Sequence, residues 1–199
     1  MTLVDTHAHL YVEEFDADRE AMLQRAEKEG VTTILLPAID QESHAALLAL
    51  SARHPQLCRP MMGLHPCSVK ENYREELDIA RTYLDRGGMV AVGEIGLDFY
   101  WDKTYTDQQY AAFREQVRWA LELDLPIVIH SRNATDECIA VVRELQNGNL
   151  RGVFHCFSGN AEQAQQLIDL GFYLGIGGVI TFKNSGLDKV METVSLDCL

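Results

Sequence analysis

Apolar runs and segments of helical periodicity alternate along most of the chain. Seven short runs predict β-strands, at residues 3–6, 31–36, 58–63, 89–93, 126–129, 152–154 and 172–176. Most of them are continuously apolar, which is typical of strands buried on both faces rather than on one. The pattern therefore favours a sheet that is covered by helices on its outer side.

The segments between these runs carry start and stop signals of helices. Three helices are predicted to begin at polar caps: Asp16, Thr106 with Gln109 as a capping box, and Asn160 with Gln163 as a second box. Further helices are predicted over residues 41–53, around 77–84 and within 184–194. Each predicted strand is thus followed by a helical segment.

A strand–helix order repeated seven times implies an α/β fold with a parallel sheet. A doubly wound open sheet and a (β/α)₈ TIM-type barrel both accommodate this order. No G-x-G-x-x-G motif follows the first run, so the sequence does not support a Rossmann dinucleotide site.

Composition and charge narrow the class of protein. The chain has 199 residues, of which 47% are hydrophobic, enough for one substantial core. Its formal net charge of −13 disfavours bulk binding of nucleic acid, so attraction to a phosphate polymer would have to be local. The five cysteines form no C-x-x-C pair, and no signal peptide or membrane-spanning run is visible. We expect a cytoplasmic protein with reduced thiols and no membrane partner.

Histidines cluster at the predicted strand ends. Five of the seven histidines and one glutamate follow β runs: His7, His9, His65, Glu94, His130 and His155. His44 and His54 lie in or just after a helix and are expected on the surface. One histidine at a strand end is usually structural, but a closed barrel would bring all these ends into a single ring.

The chemistry of this ring points to metals. Four histidines with a glutamate form a nitrogen- and oxygen-rich set that suits zinc, manganese or a similar divalent ion. Five ligands are too many for one tetrahedral site with an open position, whereas two metals that share Glu94 would use them all. Such a pair supports hydrolysis, because it activates water and stabilises a leaving oxygen.

The same residues lie in motifs that are similar to one known family. These motifs, spread along nearly the whole chain, are Asp5-Thr6-His7-Ala8-His9-Leu10, Gly63-Leu64-His65-Pro66, Gly93-Glu94-Ile95-Gly96-Leu97-Asp98, His130-Ser131-Arg132, His155-Cys156-Phe157-Ser158-Gly159 and Gly171-Phe172-Tyr173. Together they resemble the TatD-type metal-dependent deoxyribonucleases of the amidohydrolase superfamily. The resemblance implies a TIM-type barrel that hydrolyses phosphodiester bonds in DNA.

The resemblance also implies a metal site. His7 and His9 would hold one divalent ion, His130 and His155 a second, and Glu94 would bridge the two and be essential for catalysis. The ions would be zinc, manganese or magnesium. Many amidohydrolase relatives bridge their metals with a carboxylated lysine, and a glutamate at this place favours the TatD branch.

The resemblance also implies two residues that contact the substrate. His65 would contact a substrate phosphate, and Arg132 would bind phosphate oxygens, for which its guanidinium geometry is suited. The partner would be DNA, single-stranded or at its ends, while the oligomeric state stays open.

Two positions depart from the family pattern. Tyr11 stands where many members have an aspartate, directly after His-x-His-Leu. The family's remaining ligand is an aspartate after the eighth strand, and Asp197 precedes that point. We therefore expect one barrel domain over residues 1–199 without its eighth βα unit, and the activity of this chain itself is left open. The alternatives are an amide or ester hydrolase of the same superfamily acting on a small substrate, and an inactive metal-binding scaffold.

Overall fold

Seven parallel strands form the centre of the protein. The computed structural model describes residues 2–199. Its strands are β1 (Leu3–Asp5), β2 (Val31–Leu36), β3 (Cys58–Pro60), β4 (Val92–Asp98), β5 (Ile127–Arg132), β6 (Gly152–Phe154) and β7 (Phe172–Leu174). All seven predicted strands are present, although several are shorter than the apolar runs that predict them.

Seven α-helices connect and follow the strands. They are α1 (Arg19–Lys28), α2 (Gln41–Arg53), α3 (Tyr73–Asp85), α4 (Thr106–Leu123), α5 (Thr135–Leu145), α6 (Ala161–Asp169) and α7 (Leu187–Met191). Short 3₁₀ turns lie between some of these elements. None of the helices in residues 2–199 is both long and apolar enough to cross a membrane.

The strands are paired in the order of the sequence. β1, β2 and β3 form one parallel group and β4 to β7 another, and a parallel bridge between Met62 and Val92 joins the two. Strand order does not reverse as it does in a doubly wound sheet, which favours the barrel over the open-sheet alternative. In the described residues 2–199, β1 and β7 are not paired with each other.

Apolar side chains lie on both sides of the strands. The main core lies between strands and helices and includes the fully buried Leu36, Leu47, Phe113 and Leu167. A small second cluster of Met61, Ala91 and Val128 lies apart from it. Beside that cluster is a largely apolar cavity of about 490 Å³, lined by parts of β5, β6 and β7. The continuous apolar runs in the sequence reflect this burial on both sides.

The helix starts differ from the sequence prediction in two places. α1 begins at Arg19 with Asp18 as its N-cap residue, so the cap predicted at Asp16 is wrong. The capping box predicted at Thr106 is also wrong, because Tyr105 precedes α4 and no side chain caps this helix. The box at Asn160 and Gln163 is present at the start of α6.

His44 is the clearest error among the surface predictions. Its side chain lies on the inner face of α2, with only 1% exposed, and its ring packs edge-on against Tyr83. Burial lowers the pKa of His44, so the neutral imidazole behaves as an aromatic core residue. His54 is more accessible and lies 3.1 Å from a carboxylate oxygen of Glu20.

A buried glutamine on α4 fixes the segment that follows β3. The side-chain oxygen of Gln116 accepts a hydrogen bond from the Leu64 N–H at 2.7 Å, and its amide donates to the Leu64 carbonyl at 3.3 Å. Gln116 is 1% exposed, so water cannot replace either bond. The position of the adjacent His65 therefore depends on a residue far away in sequence.

We expect Gln116→Leu to destabilise the fold. The substitution keeps approximate volume but leaves two buried main-chain groups unpaired, which costs roughly 1–3 kcal/mol. Chemical denaturation measures this loss as a lower midpoint. Gln165→Ala, at an exposed position of α6, is the control and should change the free energy of unfolding by less than about 0.5 kcal/mol. Equal effects of the two substitutions would contradict the structural role of Gln116.

Candidate metal centre

Glu94 lies inside strand β4 rather than at its end. The strand was predicted to stop at residue 93, but it continues to Asp98. The register with β5 shifts between Gly93 and Ile95, which makes Glu94 the extra residue of a β-bulge. Bulges next to functional sites re-aim a side chain that a regular strand would point elsewhere. Here the bulge leaves a carboxylate with only 2% exposure.

The two carboxylate oxygens of Glu94 face different histidines. Oε2 lies 3.0 Å from Nε2 of His7 and 3.4 Å from Nε2 of His9. Oε1 lies 3.0 Å from Nδ1 of His130 and 3.7 Å from Nε2 of His65. The structure thus brings one carboxylate and histidines from three separate segments of the chain into a single cluster.

The rings of the cluster also contact one another. His155, which follows β6, stacks on His7 with ring centroids 3.4 Å apart and planes within 8° of parallel. Nε2 of His65 lies 3.3 Å from Nδ1 of His130. All five predicted strand-end histidines therefore lie together around Glu94, with His155 reaching the cluster through His7.

Burial and hydrogen bonding move the pKa values of the cluster in different directions. Burial alone would raise the pKa of Glu94, but hydrogen bonds from His130 and His7 hold it well below its usual range. Burial likewise opposes charge on His130, yet hydrogen bonds to Glu94 and another carboxylate raise the pKa of that imidazole. The metal-free site therefore holds a carboxylate next to a readily protonated imidazole.

Two other histidines stay neutral. Burial lowers the pKa of His65 to about 4, in spite of the nearby Glu94 carboxylate. Burial and then the neighbouring His7 lower the pKa of His155 to about 4 as well. At neutral pH both imidazoles can act as hydrogen-bond donors or as ligands without first losing a proton.

A tyrosine hydroxyl defines which nitrogen of His9 carries the proton. The Tyr11 hydroxyl donates to the buried carbonyl of Pro37 at 2.6 Å, so its oxygen is left to accept. Nδ1 of His9 lies 2.9 Å from that oxygen and must be the donor. Nε2 of His9 then presents a lone pair toward Glu94, which is the form a metal ligand requires.

His65 has the opposite arrangement. The main-chain N–H of Cys67 donates to Nδ1 of His65 at 3.1 Å, so the proton of the neutral ring lies on Nε2. The N–H that faces the cluster is therefore a donor rather than a lone pair. This tautomer suits contact with an anionic oxygen better than ligation of a metal.

Asp98 is a site residue that the pattern of strand-end histidines does not indicate. Its Oδ2 lies 2.8 Å from Nε2 of His130, and its side chain is 2% exposed. Gln109 holds the Asp98 main chain, accepting from its N–H at 2.9 Å and donating to its carbonyl at 3.2 Å. The sequence does place this second acidic residue four positions after Glu94, at the end of the same strand. Arg132, the predicted phosphate contact, is paired with Asp98 in the strand register.

The donor atoms of the cluster fit a divalent ion. There are two groups of three residues in which the ligand-type atoms all lie within 4.8 Å of one another: His7, His9 and Glu94 form one group, and His65, Cys67 and His130 form the other. The buried Nδ1 of His7 has no hydrogen-bond partner within residues 2–199. Imidazole nitrogens and carboxylate oxygens suit zinc or manganese.

Comparison with known proteins shows the family to which the chain belongs. The family model described as TatD related DNase matches residues 4–199. The chain belongs to the TatD family. A Bacillus subtilis relative, named uncharacterized metal-dependent hydrolase YabD, is 36% identical over 94% of this chain and 73% of its own length. A TatD from Erwinia tasmaniensis, named 3'-5' ssDNA/RNA exonuclease, is 30% identical over 99% of this chain and 77% of its own.

Two solved structures, of a TatD homologue and of an amidohydrolase, have the same fold. The crystal structure of YjjV, a TatD homologue from Escherichia coli K12, superposes with a TM-score of 0.91 at 34% identity, covering 99% of this chain and 76% of that one. An uncharacterized amidohydrolase from Saccharomyces cerevisiae has a TM-score of 0.86 at 19% identity, over 100% and 74% of the two chains, and shows the shared fold. The predicted TIM-type barrel class and the prediction of a metal-dependent hydrolase are confirmed.

We expect Tyr11→Phe to weaken metal binding by this TatD-family chain. The substitution keeps the ring but removes the oxygen that orients His9, and loss of such an outer partner costs roughly 10–100-fold in metal affinity. Titration of the metal-free protein with Mn²⁺ measures the change. Tyr110→Phe is the control, because Tyr110 lies on α4 and its hydroxyl has no hydrogen bond to residues 2–199. Unchanged affinity in Tyr11→Phe would show that His9 needs no such partner.

Proposed function

We propose that this chain hydrolyses phosphodiester bonds in DNA with the help of two divalent metal ions, and that it acts on single-stranded ends. The observation that carries the proposal is the buried carboxylate of Glu94, with imidazoles facing both of its oxygens. One carboxylate between two groups of nitrogen ligands is the arrangement that a pair of cations needs.

The proposed ligand set follows from this arrangement. His7 and His9 would hold one ion and His130 and His155 the other, with Glu94 bridging the two. The ions would be zinc, manganese or magnesium. The lone pair on Nε2 of His9, oriented through Tyr11, supports a ligand role for that residue. The Asp98 carboxylate supports a similar role for His130, because it can hold the Nε2 proton while Nδ1 faces Glu94.

The remaining side chains would act on the substrate. When bound, the divalent ions supply Lewis-acid activation of water and of the scissile phosphate. His65 would donate its Nε2–H to a phosphate oxygen, a role that its tautomer and its low pKa support. Arg132 would bind a further phosphate oxygen, and Glu94 would keep the two ligand groups at a constant separation.

The substrate class rests on the relatives and on charge. The Erwinia tasmaniensis relative is named as an exonuclease of single-stranded DNA and RNA. This chain carries a net charge of −13, which opposes the approach of a polyanion. Cations bound at the Glu94 cluster would supply local positive charge at the place of the scissile phosphate.

We expect metal-dependent cleavage of single-stranded oligonucleotides, with Glu94→Gln lowering the rate at least about tenfold. The substitution keeps shape but removes the charge between the cations, and loss of a direct ligand should cost no less than loss of an outer partner. The measurement is release of labelled nucleotides in the presence of Mg²⁺, Mn²⁺ or Zn²⁺, with small esters and amides tested in parallel.

Glu76→Gln is the matched control for this experiment. Glu76 is also a buried glutamate, 6% exposed, but it accepts from the Gln41 N–H on α2, outside the cluster. Its substitution should leave turnover unchanged while thermal unfolding reports any loss of stability. Hydrolysis of esters or amides without cleavage of oligonucleotides would replace the nuclease proposal by a small-molecule hydrolase.

Metal binding should strengthen as pH rises through the raised pKa of His130. Below that pKa the folded, metal-free protein carries a proton on His130 that an ion must displace, because only the neutral imidazole ligates. The unperturbed value is about 6.5 and that of His130 is raised, so we expect affinity to increase and proton release to fall as pH rises above about 6.5. Calorimetric titrations in buffers of different ionisation enthalpy count the protons.

Asp98→Asn provides the control. An asparagine can still accept from the main chain but no longer stabilises a charged imidazole, so the pH dependence should move to lower pH. Metal affinity that is constant over this range in the wild-type chain would remove His130 from the ligand set.

A further inference from the structure

Two large aromatic side chains are exposed directly after strand β4. Trp101 is 68% exposed and Tyr100 is 52% exposed, although both types usually bury most of their surface. Their rings contact edge to face, with centroids 4.8 Å apart. The pair follows Asp98 after one intervening residue, and Asp98 contacts His130, so the pair lies beside the metal cluster rather than on a remote surface.

An arginine covers one side of this aromatic pair. The guanidinium carbon of Arg132 lies 3.8 Å from the centre of the Tyr100 ring and 5.2 Å from that of Trp101. The first distance is typical of a stacked cation–π contact. Arg132 forms no salt bridge with any residue in 2–199, whereas Arg81 and Arg114 on the helices are paired with glutamates. Its N–H groups therefore remain available for an anion.

The main chain that carries the pair is held in place. Oδ1 of Asp98 accepts hydrogen bonds from the N–H groups of Tyr100 at 2.9 Å and Trp101 at 3.2 Å. The Phe99 N–H donates to the Arg132 carbonyl at 2.9 Å. The aromatic pair and the arginine are therefore positioned before any ligand arrives, which reduces the entropy lost on binding.

We propose that Trp101, Tyr100 and Arg132 form a stacking subsite for an unpaired base of a single-stranded nucleic acid. This inference rests on the proposed function, because it assigns the place of the base next to the bond to be cleaved. Trp101 presents an open ring face on which a base stacks, and every base has such a face. Arg132, backed by Tyr100, binds the phosphate of the same nucleotide.

Stacking would let this subsite hold a nucleic acid in spite of the negative charge of the chain. An acidic chain repels a polyanion over most of its surface, so a substrate needs local contacts that do not depend on net charge. Stacking is such a contact, and an unpaired base enters it more readily than the bases of a duplex, which are already paired and stacked. The subsite thus selects single strands without selecting sequence.

The first test uses Trp101 as its own reporter. The chain has two tryptophans, and Trp119 is only 8% exposed, so Trp119→Phe leaves Trp101 as the single tryptophan, whose emission is excited selectively at wavelengths that tyrosine does not absorb. In EDTA, where no strand is cut, a short oligothymidylate should quench Trp101 emission. An abasic strand of the same length keeps the phosphates and lacks the bases, and we expect it to bind about tenfold more weakly.

The second test measures binding without changing Trp119. Fluorescence anisotropy of a labelled oligothymidylate should show affinity lowered about tenfold by Trp101→Ala, since stacking on one aromatic side chain is lost. Tyr173→Ala is the matched control, because Tyr173 is 53% exposed but lines the apolar cavity instead of the metal cluster. The control should bind as the wild-type chain does, and a blunt duplex should bind weakly to all three proteins.

The outcomes separate this inference from the proposed function. Equal affinity for base-bearing and abasic strands, or unchanged affinity in Trp101→Ala, would overturn the stacking subsite even if the metal-loaded enzyme cleaves DNA. Quenching of Trp101 by oligothymidylate without any metal-dependent cleavage would instead support the subsite and reject the nuclease activity.

Discussion

A buried negative charge is the constraint on which this structure depends. Glu94 has 2% exposure, and a carboxylate at that depth is costly unless it is paired and hydrogen-bonded. Its partners come from the end of β1, the segment after β3, and β5, so the charge is compensated only while these strand ends stay together. The barrel geometry and the charge balance of the site therefore depend on each other. If the strand ends moved apart, Glu94 would be left as an uncompensated anion. Without that anion, the imidazoles would have no common partner.

The outline of the fold was readable from the sequence because its signals are local. Apolar runs locate the seven strands, and the Asn160 box locates the start of α6. Errors arose where a distant residue outweighs the local pattern. Gln109 resembles half of a capping box, but it binds the main chain of Asp98 instead. His44 resembles a surface residue of α2 and packs inward on Tyr83, since burial by tertiary contacts cannot be read from one helix alone.

The site was predictable as a set of residues and not as an arrangement. Their shared position after β runs brings five histidines and Glu94 to one end of a barrel, and the described structure brings them together there. The bulge that re-aims Glu94 depends on the register with β5 and has no local sequence signal. The protonated nitrogens of His9 and His65 depend on Tyr11 and on the Cys67 main chain, which only the folded chain brings into contact. The sequence shows Asp98 as the last residue of the Gly93–Asp98 motif, but it does not indicate the contact with His130.

Asp98 contacts both the histidine cluster and the aromatic pair, and its side chain therefore determines how far apart they lie. One of its oxygens meets His130, while the other holds the N–H groups of Tyr100 and Trp101. A single short side chain therefore connects the cluster to the aromatic pair, with no flexible segment between them. The distance between the histidine cluster and the main chain of Tyr100 and Trp101 is therefore set by the contacts of Asp98. Under the proposed function, a single strand held by its terminal base would place the same internucleotide linkage at the Glu94 cluster after each cleavage.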